Sequence, residues 1–95
     1  MGRARKYRTR LMIFHDILDV IRREGGEAGP TRILYGANLS YERMKRYLEE
    51  LKERELIEEV EVEGRTVYRL TERGMDFLRE FRRIAEFARA FGIVL

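Results

Sequence analysis

Cysteine is absent from the 95 residues, and histidine occurs once, as His15. Disulfide scaffolds, zinc fingers and cysteine nucleophiles are therefore excluded, and no metal site can be assembled from thiolates. A chain without cysteine also fits a reducing, intracellular compartment. Long apolar runs are missing: the longest, such as Leu11–Phe14, span four or five residues, too short for a membrane span or a signal-peptide core. Glutamine is absent and asparagine occurs once, while Arg and Glu dominate, a composition resembling that of heat-adapted, thermophilic proteins. The expectation is a soluble, cytoplasmic protein with one domain, one modest core, no cofactor, no metal and no membrane partner.

Charge is present in quantity but unevenly placed. The formal net charge is +3, yet residues 1–10 hold five cationic side chains and no acidic one, so the remainder is slightly acidic. Arg3, Arg5, Lys6, Arg8 and Arg10, with Tyr7 among them, precede any core periodicity. Such an arm over residues 1–9 can neutralise phosphates or enter a minor groove. The competing reading is a solubilising tail or a charged lead-in to the first helix.

The apolar pattern begins near Thr9. Leu11, Phe14, Ile17, Leu18 and Ile21 recur at helical spacing, with Ile13 and Val20 widening the stripe, until Glu24-Gly25-Gly26 ends the helix. His15 lies at the edge of that stripe beside Asp16 and reads as a partly buried filler, not as a ligand or general base. The linker EGGEAG contains no phosphate-cradling glycine motif.

The most informative stretch is Gly29 to Arg54, which reads as a short helix, a tight turn and a longer helix. Pro30 suits a first helical position, and Ile33 and Leu34 follow it, giving a helix near 30–36. Gly36-Ala37-Asn38 supplies residue types that tolerate left-handed backbone before Leu39 returns to the core. Ser40 can cap a second helix over 41–54, whose Met44, Leu48 and Leu51 share a face with Tyr41 and Tyr47 at its flanks. Glu42, Arg43, Lys45 and Arg46 point away from that face, within the first two turns. A recognition helix contacts bases with its N-terminal residues, so Ser40, Glu42, Arg43, Lys45 and Arg46 are candidate DNA-reading residues. The alternative is a solvated face stitched by the i,i+4 pairs Glu42–Arg46, Lys45–Glu49, Arg46–Glu50 and Glu50–Arg54.

Leu56–Val62 then shifts to β-branched residues, and Thr66–Leu70 repeats that character after the turn Glu63-Gly64-Arg65, predicting a hairpin. Three helices followed by a hairpin is the order of a winged helix-turn-helix, so the expected class is mainly α with a β-hairpin wing (α+β), over residues 10–70. Glu58, Glu59, Glu61 and Glu63 make the incoming strand acidic, which suits a solvated edge, and leave Arg65 at the tip and Arg69 as its cations. Thr71 caps a last helix, Glu72 to about Phe91, within a segment 71–95 assigned to dimerisation. Phe77, Leu78, Phe81, Ile84, Ala85, Ala88, Phe91 and Leu95 form a stripe too wide for one surface. Part should cover the core, while Leu78, Phe81, Ala85, Ala88 and Leu95 fit an a/d repeat that could pair with a second copy.

The runs PTRILYGANLSYERMKRYLEEL, ELIEEV and YRLTERGMDFL resemble those of small archaeal winged helix-turn-helix proteins, some of them transcription regulators and some abundant DNA-coating dimers. The resemblance covers about residues 10–90, and it departs at Glu55, where Gly is common. It implies a dimer through the last helix, in several such proteins an antiparallel coiled coil. It also implies a major-groove helix beginning at the LSY segment. On this sequence those roles fall to Ser40, Tyr41, Arg43, Lys45 and Arg46 at the groove, Thr31 and Arg32 at a phosphate-facing helix start, and Arg65 at the wing tip.

Three functions stand at this point: a homodimeric transcription regulator binding double-stranded DNA, an architectural, nucleoid-associated DNA-coating protein, and a winged-helix protein-interaction module. No nucleophile, base or carboxylate pair is placed by a recognisable motif, so the chain is not expected to be an enzyme.

Overall fold

The apolar stripe of the first helix dictates the architecture. In the computed structural model, which describes residues 8–95, α1 (Arg10–Arg23) buries Ile13, Phe14, Ile17, Leu18, Val20 and Ile21. Its start is fixed by Thr9, whose hydroxyl accepts from the Met12 N–H at 3.2 Å. Its end is fixed by the Gly25–Gly26 turn, where the Gly26 N–H donates to the Ile21 carbonyl at 3.0 Å.

The chain then runs through β1 (Glu27–Ala28), α2 (Pro30–Gly36), α3 (Tyr41–Glu53), β2 (Ile57–Val62), β3 (Arg65–Leu70) and α4 (Glu72–Ala90). The winged helix-turn-helix order expected from the sequence is observed, with one addition. The EGGEAG stretch, read as a linker, contributes the short strand β1, so the sheet is three-stranded and antiparallel in the order β1-β3-β2. Two residues are too few to show an alternating pattern, and the partners that make β1 a strand, Arg69 and Tyr68, lie far along the chain. The hairpin turn is tighter than expected. Val62 pairs with Arg65, and Glu63 and Gly64 both take positive φ, 52° and 77°, as a two-residue primed turn requires. Arg65 is thus the first residue of β3, immediately beside the tip.

Two glycines permit close approach. Gly36 closes α2 in a helical conformation, not a left-handed one, and a Cβ there would come within 2.8 Å of Val20 Cγ2. The left-handed residue of the turn is Asn38, at φ 56°. Gly74 lies in the first turn of α4, against the carbonyl of Leu56, with the Leu70 methyl only 2.7 Å from where a Cβ would sit. The same junction is tied by Thr71, whose hydroxyl donates to the Glu55 carbonyl at 2.8 Å and accepts from the Gly74 N–H at 3.0 Å. α4 is thereby seated on the base of the wing, and Leu78 enters the core with Phe77 packed against it.

The expected dimer face changes accordingly. Leu78 belongs to the chain's own core, Phe77 packs on Phe14 at 6.4 Å, and Phe81 stacks on the His15 ring at 4.2 Å. Leu78 and Phe81 of the expected seam, and Phe77 of the wider stripe, are engaged within the chain, because the first half of α4 must roof α1.

Two outcomes test this packing. Gly74→Ala should destabilise the fold by about 2–3 kcal/mol in denaturant unfolding, since the backbone facing it cannot withdraw as a flexible side chain can. Glu55 sits at φ 61° before Leu56. Relief of left-handed strain outweighs the entropy glycine brings, so Glu55→Gly should raise stability by about 0.5–1 kcal/mol. An unchanged or lower unfolding midpoint for the second variant would mean that Glu55 carries no such strain.

Candidate nucleic-acid interface

Ser40 sets the geometry of α3. Its hydroxyl accepts from the Arg43 N–H at 3.2 Å, so the helix begins where a serine can satisfy an orphan donor. Met44, Tyr47, Leu48 and Leu51 turn inward, and the 3.6-residue period leaves Tyr41, Glu42, Arg43, Lys45 and Arg46 exposed. Glu42 stands in the first turn, where a carboxylate complements the positive end of the helix.

Among the described residues, Arg43, Lys45 and Arg46 make no salt bridge, while Glu50–Arg54, at 3.7 Å, is the one i,i+4 pair of the four expected on this face that forms. Glu50 also receives Arg10 at 3.1 Å, and Lys52 turns to Glu49 and Glu59 at 3.0 and 2.7 Å. The cations at the start of α3 instead lie along aromatic rings. Lys45 Nζ is 5.5 Å from the Tyr41 ring centre, and the Arg46 guanidinium carbon is 5.3 Å from that of Tyr47. Such contacts preorganise a side chain while leaving its N–H donors available.

A second cationic cluster lies between α2 and the wing. Gly29, Pro30, Thr31 and Arg32 from the start of α2 line an open groove with Arg65, Thr66 and Val67 of β3. The expected contacts Thr31, Arg32 and Arg65 are therefore neighbours, although more than thirty residues separate them in sequence. Arg32 also approaches Glu24 at 3.4 Å. Arg69, the other wing cation, is committed to Glu27 by two donor contacts at 3.0 and 2.9 Å.

The acidic strand is partly neutralised within the chain. β2 is one of the sheet's two edge strands, and Lys52 of α3 reaches Glu59 on it. Hydrogen bonds to Glu59 and then Glu49 raise the Lys52 pKa above the usual lysine range, so that cation is spent locally. The Thr66 hydroxyl donates to Glu61 at 2.8 Å.

The basic arm divides. Arg3, Arg5 and Lys6 lie outside the described residues. Arg8 and Arg10 belong to the folded unit: Arg10 opens α1 and pairs with Glu50, and Arg8 is held by Asp16 at 2.8 Å. Residues 1–10 contain no acid of their own, but Asp16 follows further along α1 and packing of α3 brings Glu50, so both cations find carboxylates.

Towards the end of α4 and at its C-cap the large exposed apolar residues are Ile84, Phe87 and Phe91, 52%, 68% and 68% accessible. Phe87 is absent from the expected set, although its spacing of three from Ile84 and four to Phe91 marks the same helical face. Ala85 is half-buried, Ala88 is buried apart from the core cluster, and Leu95 is exposed in the tail with Ile93 and Val94.

Known proteins place this arrangement. The family model described as winged helix-turn-helix matches residues 7–89. Sso10a-2, a DNA-binding protein from Sulfolobus solfataricus, is similar over 90% of both chains, with 27% identity and a TM-score of 0.73. A winged-helix DNA-binding protein from STIV is similar over 83% of this chain and 90% of that one, with 22% identity and a TM-score of 0.70. The zinc-responsive MarR family member ZitR of Lactococcus lactis shares the fold over 87% of this chain and 58% of its own, with 21% identity and a TM-score of 0.67. No curated protein sequence matches the chain. Helix order, hairpin and sequence pattern agree over nearly the whole length, and the chain belongs to the winged helix-turn-helix family.

Proposed function

We propose that the protein is a homodimeric, DNA-binding transcription regulator that lays the first two turns of α3 in the major groove. The observation that carries this reading is the set Arg43, Lys45 and Arg46, exposed and, among the described residues, without carboxylate partners on a helix start fixed by Ser40. Arg43 and Arg46 supply the forked donors that match guanine O6 and N7, and Lys45 supplies a point charge for phosphate. Ser40 keeps its O–H as a donor while its oxygen caps the helix, and Tyr41 offers an exposed ring and hydroxyl. Thr31, Arg32 and Arg65 form the second contact, to the backbone beside the groove, with Arg3, Arg5 and Lys6 of the arm adding phosphate or minor-groove charge. The DNA-binding relatives in Sulfolobus and STIV support the same reading.

The homodimer rests on the far half of α4. Ile84, Phe87 and Phe91 present one apolar face beyond the core, continued by the exposed Ile93, Val94 and Leu95, and a second copy of the same helix is self-complementary to it. Two recognition helices would then address half-sites about one helical turn apart, or a multiple of that.

Charge-neutralising Arg43→Gln and Arg46→Gln should weaken binding to every duplex, with the salt slope falling by about 0.9 for each phosphate no longer neutralised. Discrimination between a selected site and mixed-sequence DNA should fall by about 1–3 kcal/mol for each base edge no longer read. Anisotropy titrations at several salt concentrations read both. Equal wild-type affinity for all duplexes, with a steep salt slope, favours the architectural function instead. No binding at low salt leaves the protein-interaction module.

The dimer has its own test. Phe87→Glu and Phe91→Glu should each give a folded monomer in sedimentation, and an unchanged mass would count against this face.

A further inference from the structure

We propose that Arg8 is a positioning residue that clamps the turn aiming α3, and so governs DNA binding without touching DNA. The proposal deepens the DNA-binding reading and rests on it for its functional consequence, while the clamp itself is a property of the folded chain.

The Arg8 side chain is 22% accessible. Its Nη1 donates to Asp16 Oδ2 at 2.8 Å and to the Ala37 carbonyl at 2.7 Å, and its Nη2 donates to the Asn38 carbonyl at 2.8 Å. Ala37 is the C-cap that follows α2, and Asn38 is the left-handed residue that reverses the chain. The guanidinium therefore grips consecutive peptide units of the segment that delivers Leu39 to the core and Ser40 to the start of α3. Carbonyls at a helix C-terminus lack intrahelical donors, and here a charged fork supplies them.

The clamp is anchored on its other side. Asp16 sits on α1, and its second oxygen is 3.1 Å from His15 Nδ1, while the His15 ring stacks on Phe81 of α4. Arg8 thus ties the recognition turn to α1 at a point that α4 also covers. Three of its four Nη hydrogens are used inside the chain and Asp16 compensates its charge, which leaves little for a phosphate. The planar fork serves one carboxylate and two successive carbonyls from two separate nitrogens, whereas the three donors of a lysine ammonium all leave a single atom on a shorter reach. Base contacts tolerate about 0.5 Å of misplacement, so a loosened turn weakens reading even though α3 itself remains helical.

Arg8→Gln, Arg8→Lys, Asp16→Asn and the double variant Arg8→Gln/Asp16→Asn separate the clamp from a phosphate contact. Asp16→Asn adds positive charge and should nevertheless weaken binding to a defined duplex about tenfold, the equivalent of one charge-assisted hydrogen bond. Arg8→Lys should not restore affinity, the double variant should bind no more weakly than either single one, and the salt slope should stay that of wild type. The Asn38 and Leu39 amides, which donate to Tyr35 and Leu34 at 3.3 and 3.1 Å, should lose hydrogen-exchange protection selectively in all variants.

Tighter binding by Asp16→Asn, retained affinity in Arg8→Lys and a slope reduced by about 0.9 in Arg8→Gln would together make Arg8 a phosphate contact and overturn the clamp. Faster exchange spread evenly over the chain would overturn it too, as general destabilisation. If wild-type protein binds no duplex, the DNA-binding reading fails alone, and exchange at Asn38 and Leu39 still decides whether the clamp exists.

Discussion

Burial of one face of α1 is the interaction on which the rest of the molecule depends. Ile13, Ile17, Leu18 and Ile21 are among the largest fully buried side chains, joined by Ile33 of α2 and Leu51 of α3. Each such side chain contributes about 1.5–3 kcal/mol of transfer free energy, and all four on α1 lie on a single stripe. α2, α3, α4, β1 and β3 all contact α1. The turn before α3, the wing and α4 share this support, and α4 is also fixed directly to the base of the wing at Thr71 and Gly74. Gly36 belongs to the same constraint, because its missing Cβ lets α2 close on Val20 and so fixes where the turn begins.

Patterns of short range are legible in the sequence because their causes are local. Thr9, Ser40 and Thr71 each cap the helix they are expected to begin, or stand at its first turn, since a hydroxyl accepting from an N–H three residues on needs no tertiary partner. Helical periodicity separates Met44, Leu48 and Leu51 from Arg43, Lys45 and Arg46 for the same reason. What escapes is decided by elements remote in sequence. β1 exists because β3 lies beside it, and Arg69 is spent on Glu27 across that pairing. Arg8 meets the carbonyls of Ala37 and Asn38 only once α1 and α2 have packed. Composition marks Gly36-Ala37-Asn38 as able to reverse the chain without saying which residue turns left-handed; Asn38 does, and the role of Gly36 is visible only against Val20.

The distribution of positive charge follows a division that net charge conceals. Arg22 and Arg23 bracket Asp19 at 2.8 and 3.1 Å, Arg10 and Arg54 share Glu50, and Lys52 serves Glu49 and Glu59. Exposed pairs of this kind contribute only about 0–1 kcal/mol each, so their importance lies less in stability than in removing those cations from the field seen by a polyanion. The cations left without carboxylates among the described residues are Arg43, Lys45, Arg46 and Arg65, together with Arg73, Arg82 and Arg89 on α4. Of these, Arg73 donates to the Arg54 carbonyl at the foot of α3. A chain whose described part is nearly balanced in charge can still present a cationic face, because its acids are consumed elsewhere. The acidic β2 edge fits this division: its glutamates hold Lys52 and Thr66, and as a free strand edge they oppose pairing with other chains.

α4 serves two surfaces in succession, and its composition changes where one gives way to the other. Gly74, Phe77 and Leu78 face the chain's own domain, where a missing Cβ, a core leucine and an aromatic contact to Phe14 fix the helix axis. Phe81, stacked on His15, is the last aromatic of α4 held by another element; beyond it Ile84, Phe87 and Phe91 are exposed. A 19-residue helix is about 28 Å long, enough for its two halves to meet different partners. The changeover falls at His15 and Asp16, the same place from which Arg8 reaches the recognition turn. Phe81 of α4 meets His15, which pairs with Asp16, and Asp16 in turn holds the Arg8 that grips the turn before α3. The exposed half of α4 and the turn that leads into α3 are therefore both referred to one small junction on α1, so a change in the direction of either helix has to be accommodated there.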